Sequence, residues 1–444
     1  MSLLSGIPVS RRGVAAFAAA VCLGVSSCSG PAAPPAAAPV PSTAKPAVSP
    51  VAPPPPGRAS VLAKDWKSYG GTVYYGCPDD FTLGKTALDK IRPKVFDTKT
   101  GQLVTPAIPA VGAGVDVLGA ACALSGTAAE PKVAYLVATA RHAQPLQPET
   151  TVATAYVFDL GSSRPSATRE LPPPAPDLQL TTAKNWGLAG TTSGVAWTNA
   201  FSDGHSLKPP RTVMLSNADL SAMWDDPQPA RAWQDVLSLQ RNTEAGRTSG
   251  VQLRLPTGEP IYQDNDVLTV DGELFDGPER LVQITRSDGS VLSTTFFDLN
   301  ARTIVKIGDS ERVSGAGLTT TLADGQLFID GHASPTSQFG FGVWNLRTQH
   351  WDFLKNRDEV NKSSIAKLAY FDGHLYITNA AGKFSAIALP ATEPVTSSWA
   401  VRPFGRISGW TLVCRGETSA SSGGECREIL LVRDEDGHYP GPWF

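Results

Sequence analysis

The chain has 444 residues and a formal net charge of −3 at pH 7, with 41 Gly, 37 Pro and 6 Cys. No Lys/Arg cluster occurs, which argues against nucleic acid as a partner and against electrostatic docking on anionic lipid. The glycine and proline content, without a long amphipathic helical stretch, predicts an all-β chain of strands and turns.

Residues 1–27 have the three parts of a secretory signal peptide. Arg11 and Arg12 supply the positive charge, and a twelve-residue apolar stretch follows at 14–25. Twelve residues rise only about 18 Å as a helix, too little for a hydrocarbon core of about 30 Å. We therefore expect cleavage rather than a membrane span. The pair Arg11-Arg12 resembles a twin-arginine export signal, and the general secretory route is the alternative.

Small residues lead to a cysteine at the end of this apolar stretch, in the order Val25-Ser26-Ser27-Cys28. This pattern resembles the lipobox of bacterial lipoproteins. The resemblance implies cleavage before Cys28, acylation of Cys28 and attachment to the extracytoplasmic face of the cell membrane. Two acyl chains anchor a protein stably, whereas one chain binds marginally.

Residues 28–60 form a Pro/Ala-rich tether. Eleven of the 32 residues at 29–60 are Pro and nine are Ala. Such a segment cannot bury a core, so we expect a disordered, semi-rigid spacer that rises about 3.1 Å per residue. It could hold the domain at 61–444 up to roughly 100 Å from the membrane.

Two weak signatures recur along 61–444. The first is a turn followed by an apolar-aromatic strand, at DGELF (Asp271), DGQLF (Asp324) and DGHLY (Asp372). Asp-Gly between strand-like runs predicts a two-residue hairpin. The second is a strand that ends in an aromatic residue and Asp or Asn, as in VFDTKTG at 95–101 and FFDLN at 296–300. We expect the aromatic residues of both signatures to pack between sheets.

The pairing of the two signatures predicts seven units of four strands each. The segment 218–262 holds excess length that could hide an eighth unit, so eight is the alternative. At VFDTKTGQLV and, more loosely, FFDLNARTIV, the chain resembles quinoprotein-like β-propellers. The resemblance implies one ring of four-stranded blades around a channel, which we expect an N-terminal strand near 61–66 to close. The tryptophans that mark cofactor-binding quinoproteins are not kept, so we expect no cofactor.

Four cysteines are left for the exported domain after Cys22 leaves with the signal and Cys28 is acylated. An even number in an exported protein predicts two disulfides, and four cysteines allow three connectivities. Cys414 and Cys426 flank a Gly/Ser-rich turn and should staple one hairpin, which leaves Cys77 with Cys122. No paired Cys or His spacing indicates a metal site.

Polar residues at two kinds of loop are the candidate binding residues. Three histidines follow second strands in long loops, and four acidic or amide residues and one arginine lie in or beside loops that lead into inner strands. Together they could form a polar rim at one mouth of the channel: His142, His205, His332, Asp116, Asn185, Asp264, Asp266 and Arg406.

Catalytic motifs are absent from the sequence, including Gly-x-Ser-x-Gly, His-Glu-x-x-His and Gly-rich nucleotide loops. We therefore favour a lipid-anchored binding or scaffolding module for an envelope protein or glycan. The alternatives are a propeller hydrolase or lyase that acts on envelope glycan, and a sensor or assembly factor for a membrane complex.

Overall fold

The computed structural model describes most of the chain from Ala59 onwards. The described residues are 59–62, 66–69, 72–78, 81–141, 150–173, 175, 177–180, 186–199, 201–206, 208–233, 235–242, 248–276, 279–288, 291–332, 334, 337–361, 365–379, 381, 383–389, 391, 394–396, 401–417, 426–435 and 441. Cys28, the predicted signal at 1–27 and the predicted tether up to residue 58 lie outside them.

The first half of the domain holds an N-terminal strand and four blades. The N-terminal strand is β1 (Ala59–Leu62). Blade 1 is built of β2 (Lys67–Tyr69), β3 (Thr72–Tyr75), β5 (Lys94–Asp97) and β6 (Gln102–Val104), with β4 (Thr82–Leu83) and the short helix α1 (Ala87–Lys90) inserted after β3. Blade 2 is built of β7 (Val115–Gly126), β8 (Pro131–Arg141), β9 (Thr150–Asp159) and β10 (Ala167–Leu171). Blade 3 is built of β12 (Gly187–Gly190), β13 (Gly194–Asn199), β15 (Arg211–Ser216) and β16 (Ala222–Asp226), beside a ribbon of β11 (Gln179–Leu180) and β14 (Phe201–Ser202). Blade 4 is built of β17 (Ala230–Trp233), β18 (Val236–Asn242), β19 (Thr248–Arg254) and β20 (Pro260–Asp264).

Four more blades follow in the same order. Blade 5 is built of β21 (Val267–Asp276), β22 (Glu279–Asp288), β23 (Val291–Asp298) and β24 (Thr303–Ile304), with β25 (Val313–Ser314) also on β23. Blade 6 is built of β26 (Thr319–Ala323), β27 (Gln326–Asp330), β28 (Phe339–Asn345) and β29 (His350–Asn356), and the short helix α2 (Arg357–Asn361) follows it. Blade 7 is built of β30 (Ile365–Phe371), β31 (His374–Asn379), β32 (Phe384–Ala388) and β33 (Pro394–Thr396). Blade 8 is built of β34 (Val401–Ile407), β35 (Trp410–Glu417), β36 (Cys426–Arg433) and β1.

The fold is therefore an all-β propeller, as predicted, but with eight blades rather than the favoured seven. Blade 4 is the additional one, and it begins inside the segment 218–262 that the sequence marked as too long. This blade was hard to see because neither signature occurs in it: it has no Asp-Gly hairpin, and its third strand ends without an aromatic-Asp pair.

Of the three Asp-Gly pairs in the first signature, two are hairpin turns and the third is not. Asp324-Gly325 and Asp372-Gly373 join first and second strands, and all four residues have positive φ, as this type of turn requires. Asp271 instead lies inside β21, where the register with β22 shifts between Val270 and Gly272. The prediction of a turn at Asp271 was wrong because glycine also serves at a β-bulge.

The ring closes through β1, as expected, although this strand begins at Ala59. It pairs antiparallel with β36, from Ala59 opposite Val432 to Leu62 opposite Ile429. Blade 8 also packs on blade 1, where the Trp410 indole lies edge-on to Phe96 and donates to the Thr98 carbonyl at 3.0 Å. Closure leaves no open sheet end between the first and last blades.

Each pair of neighbouring blades encloses its own apolar cluster. The one between blades 8 and 1 includes Val73, Phe96 and Leu431, and the aromatic residues of the sequence signatures occupy several others. Tyr135 and Phe328 are fully buried, so packing explains them, as expected. A side chain of this size contributes roughly 2–3 kcal/mol when it is buried.

Both predicted disulfides are present. Cys77 follows β3 and bonds to Cys122 in β7, which ties blade 1 to blade 2. Cys414 bonds to Cys426 and joins β35 to β36. No helix among the described residues has the length and apolar character needed to cross a membrane.

The two ends of the ring differ in how the strands are joined. Because strands of a blade are antiparallel, links between second and third strands and links between blades leave one end, and the remaining turns leave the other. We call the first end the connection face; it carries 76–93, 305–318 and 331–338. We call the second end the turn face, where turns such as Asp324-Gly325 and Ser408-Gly409 lie.

Candidate functional site

The predicted site residues divide between the two faces. His205, His332, Asp116, Asp264 and Asp266 lie on the connection face, as expected from their positions in the repeat. His142 and Asn185 lie outside the described residues. Arg406 does not belong to this group, because it lies near the end of β34 opposite Thr411 and so at the turn face.

His205 and His332 occupy different environments on blades 3 and 6. His205 is exposed, and its amide donates to Asp203 Oδ1 at 3.0 Å. A Lys208 ion pair at 2.7 Å, with help from the amides of Ser206 and His205, holds the pKa of Asp203 well below its usual range. This network shapes the loop so that the His205 side chain is presented to solvent.

His332 is held against a buried carboxylate. Its Nδ1 lies 2.6 Å from Asp330 Oδ1, which also accepts the His332 amide at 2.9 Å. The side chains of His332 and Asp330 are 11% and 5% exposed, so most of this pair is removed from water. The next turn of the loop is fastened too, because Ser334 Oγ donates to the Ala316 carbonyl at 2.7 Å. The pair therefore positions a rigid segment of the connection face.

Asp264 has its carboxylate fully engaged within the protein. Its Oδ2 accepts from the Tyr262 hydroxyl at 2.8 Å and pairs with Arg286 Nη2 at 2.7 Å, while its Oδ1 accepts from the Asp266 amide at 2.8 Å. Burial, aided by the Asp264 hydrogen bond, raises the pKa of Tyr262. Asp264 thus orders the link between blades 4 and 5, whereas Asp266 is exposed beside it.

Asp116 lies at the start of β7 and pairs with the exposed Lys85 at 3.2 Å. Lys85 comes from the long blade 1 connection at 76–93, which Cys77 also fastens. The five described candidates on the connection face thus come from blades 2, 3, 4 and 6 and from the link between blades 4 and 5, and they are spread around the face rather than gathered in one constellation.

Charged groups that the sequence did not single out converge on the turn face between blades 4 and 5. Arg280 pairs with Glu273 through Nη2 at 2.6 Å and with Asp235 through Nη1 at 2.9 Å. The Glu273 side chain is 3% exposed, and burial raises its pKa to about 7 despite the opposing effect of Arg280. Its Oε2 and the Asp235 Oδ1 are buried without hydrogen-bond partners.

Arg406 forms a second charged bridge on the turn face. Its Nη1 lies 3.0 Å from Asp324 Oδ1 of blade 6, and its guanidinium lies over the Phe371 ring of blade 7. Its Nε lies 3.3 Å from Asp434 Oδ2, which is ion-pair distance without hydrogen-bond alignment. Arg406 therefore connects three blades, a structural role that differs from the predicted position at a binding rim.

A polar cleft of about 490 Å³ also opens on the turn face between blades 1 and 2. Both of its lysines are engaged within the protein: Lys132 pairs with Asp159, and Lys99 donates to the Ala129 carbonyl at 2.7 Å. No group of three His, Cys, Asp or Glu residues that could hold a metal ion occurs in the described part of the chain.

No family model matches the chain, and no curated protein matches its sequence. Among solved structures, BamB from Moraxella catarrhalis is 9% identical with a TM-score of 0.36, over 84% of this chain and 98% of BamB. The computationally designed Ika8 protein is 12% identical with a TM-score of 0.34, over 85% and 96%. Sqt1 from Saccharomyces cerevisiae is 9% identical with a TM-score of 0.30, over 71% and 95%. The likeness concerns the fold alone.

Proposed function

We propose that the protein is an extracytoplasmic lipoprotein, anchored through Cys28, whose propeller binds an envelope protein or glycan through its connection face. The observation that carries this proposal is the direction in which the chain joins the ring. β1 runs from Ala59, opposite Val432 near the turn face, to Leu62, nearer the connection face. The described chain therefore enters the ring at the turn-face end, which is opposite the connection face.

The unequal distribution of chain between the two faces also supports this assignment. Long links gather on the connection face, and loops held by a rigid scaffold are where binding residues are most often found. Several of these links are internally fastened, by the Asp203–Lys208 pair and the Asp330–His332 pair among others. A fastened loop loses little conformational freedom when a partner binds, which favours affinity.

Membrane attachment is tested with Cys28→Ala in the producing bacterium. We expect wild-type protein to take up labelled fatty acid and to sediment with membranes, whereas the variant should lose the label and leave the membrane fraction. A wild-type protein without label, together with unchanged sedimentation of the variant, would contradict the anchor.

The binding face is tested by affinity purification from solubilised membranes. We expect a triple His→Ala variant at positions 142, 205 and 332 to lose partners that the wild type recovers, since His205 and His332 lie in connection-face loops and the sequence predicts the same for His142. The matched control is Arg302→Ala, which breaks an exposed pair with Glu259 on the turn face. A thermal melt of each variant confirms folding. Loss of partners by the Arg302→Ala control alone would indicate that the turn face, not the connection face, binds the partner. Turnover of wall glycan by the purified wild-type protein would indicate an enzyme instead.

A further inference from the structure

Three charged side chains close the turn-face end of the seam between blades 4 and 5. One of them, Glu273 in β21, lies opposite Val282 of β22, and Val282 packs with Val236 of blade 4 in the apolar cluster between these blades. Directly opposed residues of two antiparallel strands project to the same side of the sheet. The Glu273 side chain therefore points toward the apolar seam, which explains why it is only 3% exposed.

One guanidinium serves two carboxylates at this end of the seam. Arg280 donates through Nε to Glu273 Oε1 at 2.7 Å and through Nη1 to Asp235 Oδ2 of blade 4 at 2.9 Å. Glu273 Oε2 and Asp235 Oδ1 are buried without a hydrogen-bond partner. With both carboxylates ionised, the three groups carry one negative charge in excess, and a buried charge without compensation is costly. A single proton would remove it.

The other charged groups described around the seam do not supply this compensation. Glu279 at the start of β22 faces blade 6, where its Oε1 lies 3.2 Å from the position that a Cβ on Gly325 would take, and Arg231 of β17 is exposed. Three more have partners of their own: Arg254 pairs with Asp226, Asp324 with Arg406, and Asp271 accepts from Thr285. Burial raises the pKa of Glu273 to about 7 against the opposing effect of Arg280, and the charge of Asp235 adds to the rise.

We propose that Glu273, Arg280 and Asp235 form a proton-operated clamp on the seam between blades 4 and 5. With a proton on Glu273, Arg280 is left to Asp235, the group is neutral and the seam is closed. When Glu273 releases its proton to solvent, hydration of the excess charge favours separation of the Asp235 turn from blade 5. The Asp235 and Arg280 side chains are 29% and 22% exposed, so water reaches the clamp from the turn face. The proposed function of the connection face does not depend on this clamp.

The direction of the pH effect follows from the two states of the seam. In the open seam Glu273 is hydrated and regains the ordinary pKa of 4.5, whereas in the closed seam its pKa is about 7. Below pH 4.5 the proton is present in both states. Between pH 4.5 and 7 the opening of the seam should become up to about tenfold more frequent for each pH unit, and above pH 7 it should level off.

The test is hydrogen exchange of the full-length protein in detergent, followed by mass spectrometry from pH 5 to pH 8 and corrected for the intrinsic exchange rate at each pH. Amides at 236–239 that exchange faster than the slowest amides of the ring report local opening rather than global unfolding. We expect their opening to increase at least about tenfold over this range. Amides of matched protection in blade 2 should change by less than about twofold. A flat profile at 236–239, or an equal rise in blade 2, would overturn the proposal.

A variant without the titrating group identifies the carrier of the proton. Glu273→Gln resembles the protonated side chain, so opening at 236–239 should lose its pH dependence and stay, at pH 8, at the wild-type level of pH 5. The matched control is Glu259→Gln, which breaks an exposed pair with Arg302 on the same face and should keep the wild-type profile. A pH-dependent profile that persists in Glu273→Gln would mean that another group operates the seam.

One further variant separates a proton site from a structural contact. Asp235→Asn removes the second carboxylate, so Arg280 serves Glu273 alone and Glu273 holds its proton less tightly. Opening should then level off at a lower pH than in the wild type, although the seam has also lost an ion pair. A profile that levels off at the wild-type pH would contradict the sharing of Arg280 on which the clamp depends. Thermal melts confirm that each variant is folded.

Discussion

On the turn face, strands are joined by tight turns and charged side chains pair across blades, whereas on the connection face longer links are fastened covalently. Arg406 and Arg280 each bridge two carboxylates on the turn face. Cys77 fastens the long blade 1 link, and Cys426 holds the start of β36. The comparison indicates that the turn face resists separation of the blades, while the connection face can vary its loops without loosening the ring.

The largest effect should follow from breaking a turn-face bridge. Arg406→Ala leaves Asp434, whose side chain is 2% exposed, without its charged partner. Removing one partner of a buried pair costs about 3–5 kcal/mol. The control Arg302→Ala breaks a half-exposed pair and should cost at most about 1 kcal/mol. Urea unfolding monitored by fluorescence measures the loss of unfolding free energy in both variants. Equal losses would contradict the expected difference between the buried Arg406 bridge and the half-exposed Arg302 pair.

The disulfides should rank by the chain length that each encloses. Cys77 and Cys122 are 45 residues apart, and Cys414 and Cys426 are 12 apart. By the chain-entropy relation, replacing the first pair with Ser should cost about 4 kcal/mol and the second about 3 kcal/mol. Urea unfolding of the two double variants tests the ranking. A larger loss from Cys414→Ser/Cys426→Ser would show that native packing, not chain entropy, dominates.

The pH dependence of stability should report on Glu273. Its pKa is raised to about 7 in the folded protein, against 4.5 for an ordinary Glu. Below pH 4.5 the group is protonated in both states, and between pH 4.5 and 7 only the unfolded chain loses the proton. Stability should therefore fall as pH rises through this range, by at most about 3 kcal/mol. The loss should be complete above pH 7.

Glu273→Gln isolates this contribution because glutamine resembles the protonated side chain. The difference in free energy of unfolding between variant and wild type should grow in the variant's favour from pH 5 to pH 8. Measurements at constant ionic strength keep the other ion pairs comparable. A constant difference across that range would show that Glu273 is ionised throughout.

The smallest effect on stability should come from the exposed part of the connection face. His205→Ala should change the free energy of unfolding by less than about 0.5 kcal/mol, since the side chain is exposed. His332→Ala should cost about 1–3 kcal/mol, because Asp330 then loses the imidazole and retains the backbone amide of residue 332 as a donor. Thermal melts compare the two. A large loss from His205→Ala would mean that this loop supports the blades.

Local sequence patterns were sufficient for the strands of seven blades and for two of the turns. Asp324-Gly325 and Asp372-Gly373 were predictable because positive φ at two successive residues favours this dipeptide. The same dipeptide at Asp271 wrongly predicted a turn. The strand β21 continues through it, with apolar positions on both sides. Blade 4 lacked both signatures and could be suspected only from excess length.

The sequence predicted on which face most candidate residues lie, but not the partners of their side chains. Repeat positions placed His205 and His332 on one face because every blade repeats the same order of strands. They could not show that His332 is largely buried against Asp330 or that Asp264 is already engaged with Arg286 and Tyr262. Arg406 was misplaced because its role depends on Asp324, 82 residues away.

By itself, the sequence determined the all-β character, the repeating unit, the two disulfides and the strand that closes the ring. These follow from short-range patterns: alternation, turn dipeptides and an even number of cysteines after the predicted lipidation site. Only the tertiary structure decided the number of blades and the charged bridges of the turn face. Those features join residues from different blades, such as Asp235 and Arg280, and no local pattern encodes which blades become neighbours across such distances.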